Sequence, residues 1–334
     1  MKRFACPVCR EEVHFDNSVC LNCDTGLAYD SVASKFVALT GSKATRICEN
    51  RPVAGCNWLA RPKEQFCTAC LHNRTIPDMS SDENITNWRS IEQAKRYLFY
   101  SILKWKLPHP TRDEVPDGLA FDFLADSTEV DGETFLTGHA DGLITLNIAE
   151  GDDAEREARR TAMGEPYRTL IGHMRHEVGH YYWQVLVRDR GLLDECRAVF
   201  GDDRADYGKS LQRHYAEGPP LDWPDRFISS YASAHPWEDF AETWAHYIHI
   251  VDSSETAHAF GMTLAGTGGD DVEMDTDPYK RGTFKATIAD WVPLTVAMNA
   301  INRSMGQPDL YPFVLSESVE RKLAFIHRII HKKP

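Results

Sequence analysis

Eight of the nine cysteines lie within the first 70 residues: Cys6, Cys9, Cys20, Cys23, Cys48, Cys56, Cys67 and Cys70. In a reducing compartment, thiols crowded like this hold metal rather than form disulfides. Cys6-Pro7-Val8-Cys9 and Cys20-Leu21-Asn22-Cys23 form two Cys-x-x-Cys knuckles with zinc-ribbon spacing, two turns facing each other across a β-hairpin. Four thiolates at ~2.3 Å complete a closed tetrahedron around Zn²⁺, so this site is structural. His14, between the knuckles, reads as a surface histidine. Cys48, Cys56, Cys67 and Cys70 form a second set in which only the last pair has knuckle spacing. The first pair needs a larger loop, Glu49 to Gly55. We read a second structural Cys₄ zinc site, with His72 as reserve ligand should Cys48 lie too far away. Cys196 is left over as an ordinary buried thiol.

Charge narrows the partners. The 334-residue chain carries a net 37 − 50 = −13. Residues 1–80 hold ten Lys/Arg and eight Asp/Glu, a net +2, which leaves −13 − 2 = −15 for the rest. Neither part offers the basic surface that phosphate backbones require, which argues against nucleic acid as a partner. With 42 % apolar and 26 % charged residues, the chain has globular composition and can bury a core. No apolar run reaches the ~18–20 residues of a membrane span. The first residues carry no apolar signal region, so the expected location is cytoplasmic.

Patterning gives an α+β fold in three parts: 1–80 as a double Cys₄ region, 81–115 as a connecting helix and linker, and 116–334 as a mainly helical domain with a small β-sheet. Residues 73–87 read as a polar connector and 88–106 as a helix with apolar positions at 3.6 spacing. Leu119 to Leu124 is a candidate strand. Thr134 to Thr137 and Leu143 to Ile148 flank a hairpin turn at Gly138 to Gly142. A helix begins near Asp152, and Glu165-Pro166 opens a longer one through about Val187. Two shorter helices occupy 190–217, Pro236 opens another through about Val251, and 284–303 and 316–331 are helical. Gly266 to Asp277 reads as a flap or a solvated loop.

The chemistry concentrates in His176-Glu177-Val178-Gly179-His180. On a helix, positions i and i+4 share one face, so His176 and His180 can grip one Zn²⁺ with Glu177 placed to take a proton from its water. About 0.04 such H-E-x-x-H matches are expected by chance from the His and Glu content, too few to dismiss the motif.

A catalytic zinc takes a third protein ligand and keeps one position for water. In Pro236-Trp237-Glu238-Asp239-Phe240-Ala241-Glu242, Glu238 and Glu242 lie one helical turn apart. We assign Glu238 to the metal and Glu242 to a ligand imidazole, whose proton it accepts and whose tautomer it fixes. Trp237, Phe240, Trp244 and Ile248 are expected on the opposite, core-facing side, and Asp239 at the surface. His173, His139, His214 and His246 are expected to be structural. The cofactors expected are three Zn²⁺, one catalytic and two structural.

Glu238-Asp239-Phe240-Ala241-Glu242 following H-E-x-G-H resembles the gluzincin metallopeptidases, the catalytic domain of anthrax lethal factor among them. The whole chain is similar to a bacterial family of zinc-binding metallopeptidases with an N-terminal zinc-ribbon region. Cys56-Asn57-Trp58-Leu59, Asn73-Arg74-Thr75-Ile76-Pro77-Asp78, Arg175 to Trp183 and His235 to Glu242 carry that similarity. The resemblance implies a zincin-like catalytic domain that hydrolyses peptide bonds, with Glu177 as general base. It also implies that Tyr231, seven residues before Glu238, stabilises the oxyanion; His235 is the other donor at hand. By analogy with zincins, the strand before the motif helix lines the cleft and pairs with extended peptide. The implied partner is a peptide or protein substrate, with a protein partner possible at the zinc-ribbon region. The competing reading is a non-catalytic, zinc-stabilised adaptor.

Overall fold

In the computed structural model, residues 1–41, 46–125, 138–163, 169–265, 271–280 and 282–332 are described. The chain packs as two units: Arg3–Arg159 with Thr169–Met174, and Arg175–Pro334 with Met1–Lys2 and Arg160–Arg168.

The cysteine-bearing unit begins with two small hairpins. β1 (Phe4–Ala5) pairs with β2 (Glu12–Val13), and β3 (Leu27–Asp30) with β4 (Lys35–Ala38), both antiparallel. An aromatic cluster supplies the core here. Phe15 meets Phe4, Tyr29, Trp58, Tyr97 and Tyr100 at ring centroids 4.9–6.0 Å apart. After the one-turn α1 (Arg51–Ala54) comes β5 (Asn73–Thr75), then α2 (Asp82–Trp105). Both correct the expectation of a connector over 73–87. β5 is a polar edge strand with no apolar alternation to announce it. The first turn of α2 is polar because it is a cap: Ser81 Oγ accepts the Asn84 N–H.

β6 (Ala120–Leu124), β7 (Gly138–Ala140) and β8 (Leu143–Asn147) complete a four-stranded sheet ordered β5-β6-β8-β7. β8 lies parallel to β6 and antiparallel to β7. Among the described residues it lies between β6 and β7, with β7 covering Leu143 to Thr145. The turn is two residues long, Asp141 (φ 45°) and Gly142 (φ 79°), as a type I′ hairpin requires. A Cβ on Gly142 would stand 2.3 Å from the Asp117 carbonyl oxygen. The expected strand Thr134 to Thr137 lies outside the described residues. α3 (Asp153–Met163) follows.

The second unit is helical. α4 (Leu170–Trp183) carries the H-E-x-x-H motif and runs into one π-helical turn, Gln184–Arg188. Its expected start at Glu165-Pro166 lies outside the described residues. α5 (Leu193–Phe200), α6 (Tyr207–Glu217) and the short α7 (Trp223–Arg226) lead to α8 (Pro236–Ala259). β9 (Thr263–Leu264) and β10 (Val272–Glu273) pair as a small hairpin, so the segment expected as a plain loop or flap holds β10; residues 266–270 lie outside the described residues. α9 (Phe284–Ser304) and α10 (Glu317–His331) complete it.

α8 is the central helix, packed against α5, α9 and α10 and buried on nearly every side. A helix buried all round has no solvated acidic face. Asp239, expected at the surface, is 0 % exposed, with Lys322 Nζ of α10 at 2.6 Å. Where α4 crosses α8, Gly179 lies against Ala241: a Cβ there would meet the Ala241 Cα at 3.0 Å. Tyr182 stacks on Trp244 beside this crossing, 4.7 Å between centroids. Cys196 is buried, and burial pushes its thiol up to about 12, leaving it protonated and inert.

Candidate metal centres

Both cysteine sets converge. The Sγ–Sγ distances are 3.7 Å for Cys6–Cys23 and 3.6 Å for Cys9–Cys20, and 3.7 Å for Cys56–Cys67 and 3.9 Å for Cys56–Cys70. A zinc with four Zn–S bonds of ~2.3 Å sets its sulfurs about 3.8 Å apart, whereas a disulfide needs ~2.05 Å. The donor sets fit tetrahedral zinc. Within the long gap of the second set, α1 folds the chain back so that Cys48 joins the other three. His72 turns elsewhere: its Nδ1 bonds the Leu119 carbonyl at 2.7 Å, and burial holds it down to about 3.

The third centre grows from two helices. One turn of α4 separates His176 and His180, whose rings lie 4.9 Å apart. The close crossing at Gly179 brings α8 near enough for Glu238 to reach both. Its Oε2 stands 2.9 Å from His176 Nε2, and its Oε1 3.6 Å from His180 Nε2. One ligand atom from each residue falls within 4.8 Å of the others. Four-coordinate zinc with bonds of ~2.0–2.1 Å separates its ligands by about 3.3 Å, so these donors fit it. Glu177 is buried beside them.

Supporting contacts orient the donors. Glu242 Oε1 lies 2.6 Å from His176 Nδ1, and Ser229 Oγ donates to Glu242 Oε2 at 2.6 Å while accepting the Ala232 N–H at 3.1 Å. Burial opposes charge on His176, yet Glu238 and Glu242 at its two nitrogens hold its pKa well above the ordinary value. Burial also pushes Glu242 up, but hydrogen bonds and charge from His176, with His246 and Ser229, bring it down to about 2. The buried Glu238 and half-buried Glu242 around an imidazole form a site that binds positive charge, whether proton or metal.

Tyr231 begins a short 3₁₀ turn, its ring 5.9 Å from His176. Burial, reinforced by the Glu238 charge, pushes its phenol far up, so it remains an O–H donor. His235 is committed elsewhere. Its Nδ1 accepts the Trp237 N–H at 3.0 Å, and its Nε2 donates to the Ala205 carbonyl at 3.1 Å. Those bonds place His235 at the N-cap of α8 with both ring nitrogens engaged. Contrary to the expectation that Trp237 lies on the opposite, core-facing side, its ring lies 4.0 Å from His180. Among the other histidines, His139 Nε2 accepts the Gly142 N–H, His246 bonds Tyr311, and His173 faces Glu150 at 3.6 Å.

Two contributors carry no sequence signal. Ser229 and Tyr207, whose hydroxyl donates to Glu238 Oε1 at 2.8 Å, lie on segments whose approach depends on tertiary packing.

Residues 84–329 match the family described as "Putative zinc-binding metallo-peptidase", and residues 3–81 match a zinc-ribbon domain. The chain belongs to that metallopeptidase family. Relatives include an uncharacterized protein of Mycobacterium bovis and two of Mycobacterium tuberculosis strains. Each is 40 % identical over 335 residues, covering 99 % of this chain and 95 % of the relative. No solved structure matches the chain, so the lethal factor likeness rests on the motifs alone. Among the described residues, no helix is long and apolar enough to cross a membrane.

Proposed function

We propose that this family member is a zinc-dependent peptidase of the gluzincin type. The observation that carries the reading is the convergence of His176, His180 and Glu238, with Glu242 on the far nitrogen of His176. His176, His180 and Glu238 would hold a zinc whose Lewis acidity would polarise a carbonyl and lower the pKa of a water toward ~7. Glu177 takes the proton from the attacking water and returns it to the leaving amine. Tyr231 donates to the oxyanion as it forms. Glu242 accepts the His176 Nδ1 proton and keeps Nε2 turned to the metal. The two Cys₄ sites hold structural zinc, for three per chain.

The test is Glu177→Gln. The variant should retain three zincs by elemental analysis and lose hydrolysis of a quenched-fluorescent peptide library by at least ~100-fold, the scale of general-base catalysis. Undiminished turnover would overturn the mechanism, and two zincs in the wild type would favour the adaptor reading.

A further inference from the structure

Glu238 is fully buried, so each oxygen of its carboxylate needs a partner. Oε2 faces His176 Nε2 at 2.9 Å. Oε1 accepts the hydroxyl of Tyr207, the first residue of α6, at 2.8 Å. Three contacts hold that phenol in place. Asp206 caps α6 by accepting the Lys209 N–H at 3.0 Å, which sets where Tyr207 enters. The Tyr207 ring meets the edges of His235 at 5.3 Å and Trp237 at 5.7 Å. Trp237 in turn lies against His180.

We infer that Tyr207 is a positioning residue that makes Glu238 a one-oxygen ligand. A carboxylate can give a metal one oxygen or two. Two would raise the coordination number and crowd the position that a hydrolytic zinc keeps for water. The Tyr207 hydrogen bond engages Oε1, which stands 3.6 Å from His180 Nε2, and leaves Oε2, 2.9 Å from His176 Nε2, for the metal. Tyr207 thus acts through Glu238 and keeps one coordination position open for the reaction. This inference rests on the metallopeptidase reading of the same site.

The experiment compares the full-length wild type with Tyr207→Phe. Tyr207 is 39 % exposed, and phenylalanine keeps its ring contacts, so the variant should fold. A chelator removes the zinc at His176, His180 and Glu238, the two Cys₄ zincs are verified by elemental analysis, and Co²⁺ is added. The wild type should show the intense visible absorption of four-coordinate cobalt. Tyr207→Phe should show the weaker absorption of a higher coordination number and bind the metal about 10-fold less tightly in chelator competition, the scale of losing a partner of a metal ligand. Identical spectra and affinities would overturn the inference even if hydrolysis fell, because Tyr207 would then act on substrate. A wild type that takes up no cobalt and holds only two zincs would sink the metallopeptidase reading and this inference with it.

Discussion

Glu242 Oε1 and His176 Nδ1 stand 2.6 Å apart, and Ser229 anchors the second Glu242 oxygen at the same distance. Glu242 thus faces one ring nitrogen of His176 while Glu238 faces the other. Glu242→Ala removes the acceptor while leaving all three donors in place. Affinity for the zinc proposed at His176, His180 and Glu238 should fall 10- to 100-fold, measured by competition with a fluorescent chelator. Glu242→Gln, which retains one acceptor oxygen, should fall less. Equal affinity in all three proteins would remove the orienting role.

Gly179 is the third point of contact within the motif. Its missing side chain lets α4 approach Ala241 of α8, with the Trp244 ring 3.2 Å from where a Cβ would stand. Gly179→Val must push the helices apart or force strained rotamers. It should lose about 1–3 kcal/mol in urea unfolding, the usual cost of overpacking. It should also weaken zinc binding, because His180 and Glu238 reach each other only across this crossing. Gly179→Ala should show both effects more mildly.

Lys322 Nζ serves the buried Asp239 at 2.6 Å, donates to the Arg226 carbonyl at 2.6 Å and lies 4.2 Å from the Phe227 ring centroid. Lys322→Met leaves a carboxylate in the core without its counter-charge. Breaking one partner of a buried pair typically costs about 3–5 kcal/mol. Adding Asp239→Asn removes the stranded charge and should recover part of that loss, so urea midpoints of the single and double variants decide whether the pair is coupled.

His327 predicts a pH dependence. Its Nδ1 bonds the Tyr247 hydroxyl at 2.9 Å, and burial, with His331 beside it, pulls its pKa down to about 4. In the unfolded chain it titrates near ~6.5. Between these values the unfolded chain binds a proton that the folded chain refuses, so stability falls as pH falls; above ~6.5 both forms are neutral and the contribution vanishes. The His327 share of the slope approaches about 1.4 kcal/mol per pH unit below ~6. His327→Gln should flatten that part of the curve in urea midpoints taken from pH 5.5 to 7. Parallel wild-type and variant curves would assign the acid slope to other groups.

Legibility followed the range of the interaction. The knuckles at Cys6–Cys9, Cys20–Cys23 and Cys67–Cys70 are local turns, and His176 and His180 are one helical turn apart, so both appear in the residue spacing. Glu238 and Glu242 were legible as a pair on one helix, because period and cap are local properties. The polar strand β5 and the capped first turn of α2 were not, since neither shows apolar periodicity.

The sequence by itself determined which short segments can offer metal donors, because backbone geometry over four residues is set by the helix and the turn. Only the tertiary structure decided what those donors face. Burial of α8 on all sides turned Asp239 inward to Lys322, and the α4–α8 crossing at Gly179 set Glu238 against both imidazoles. The approach of α6 and of the segment before α8 brought Tyr207 and Ser229 onto the two glutamates. Those contacts join residues up to 83 positions apart, as between Asp239 and Lys322, and depend on how complete helices pack, which no local spacing encodes.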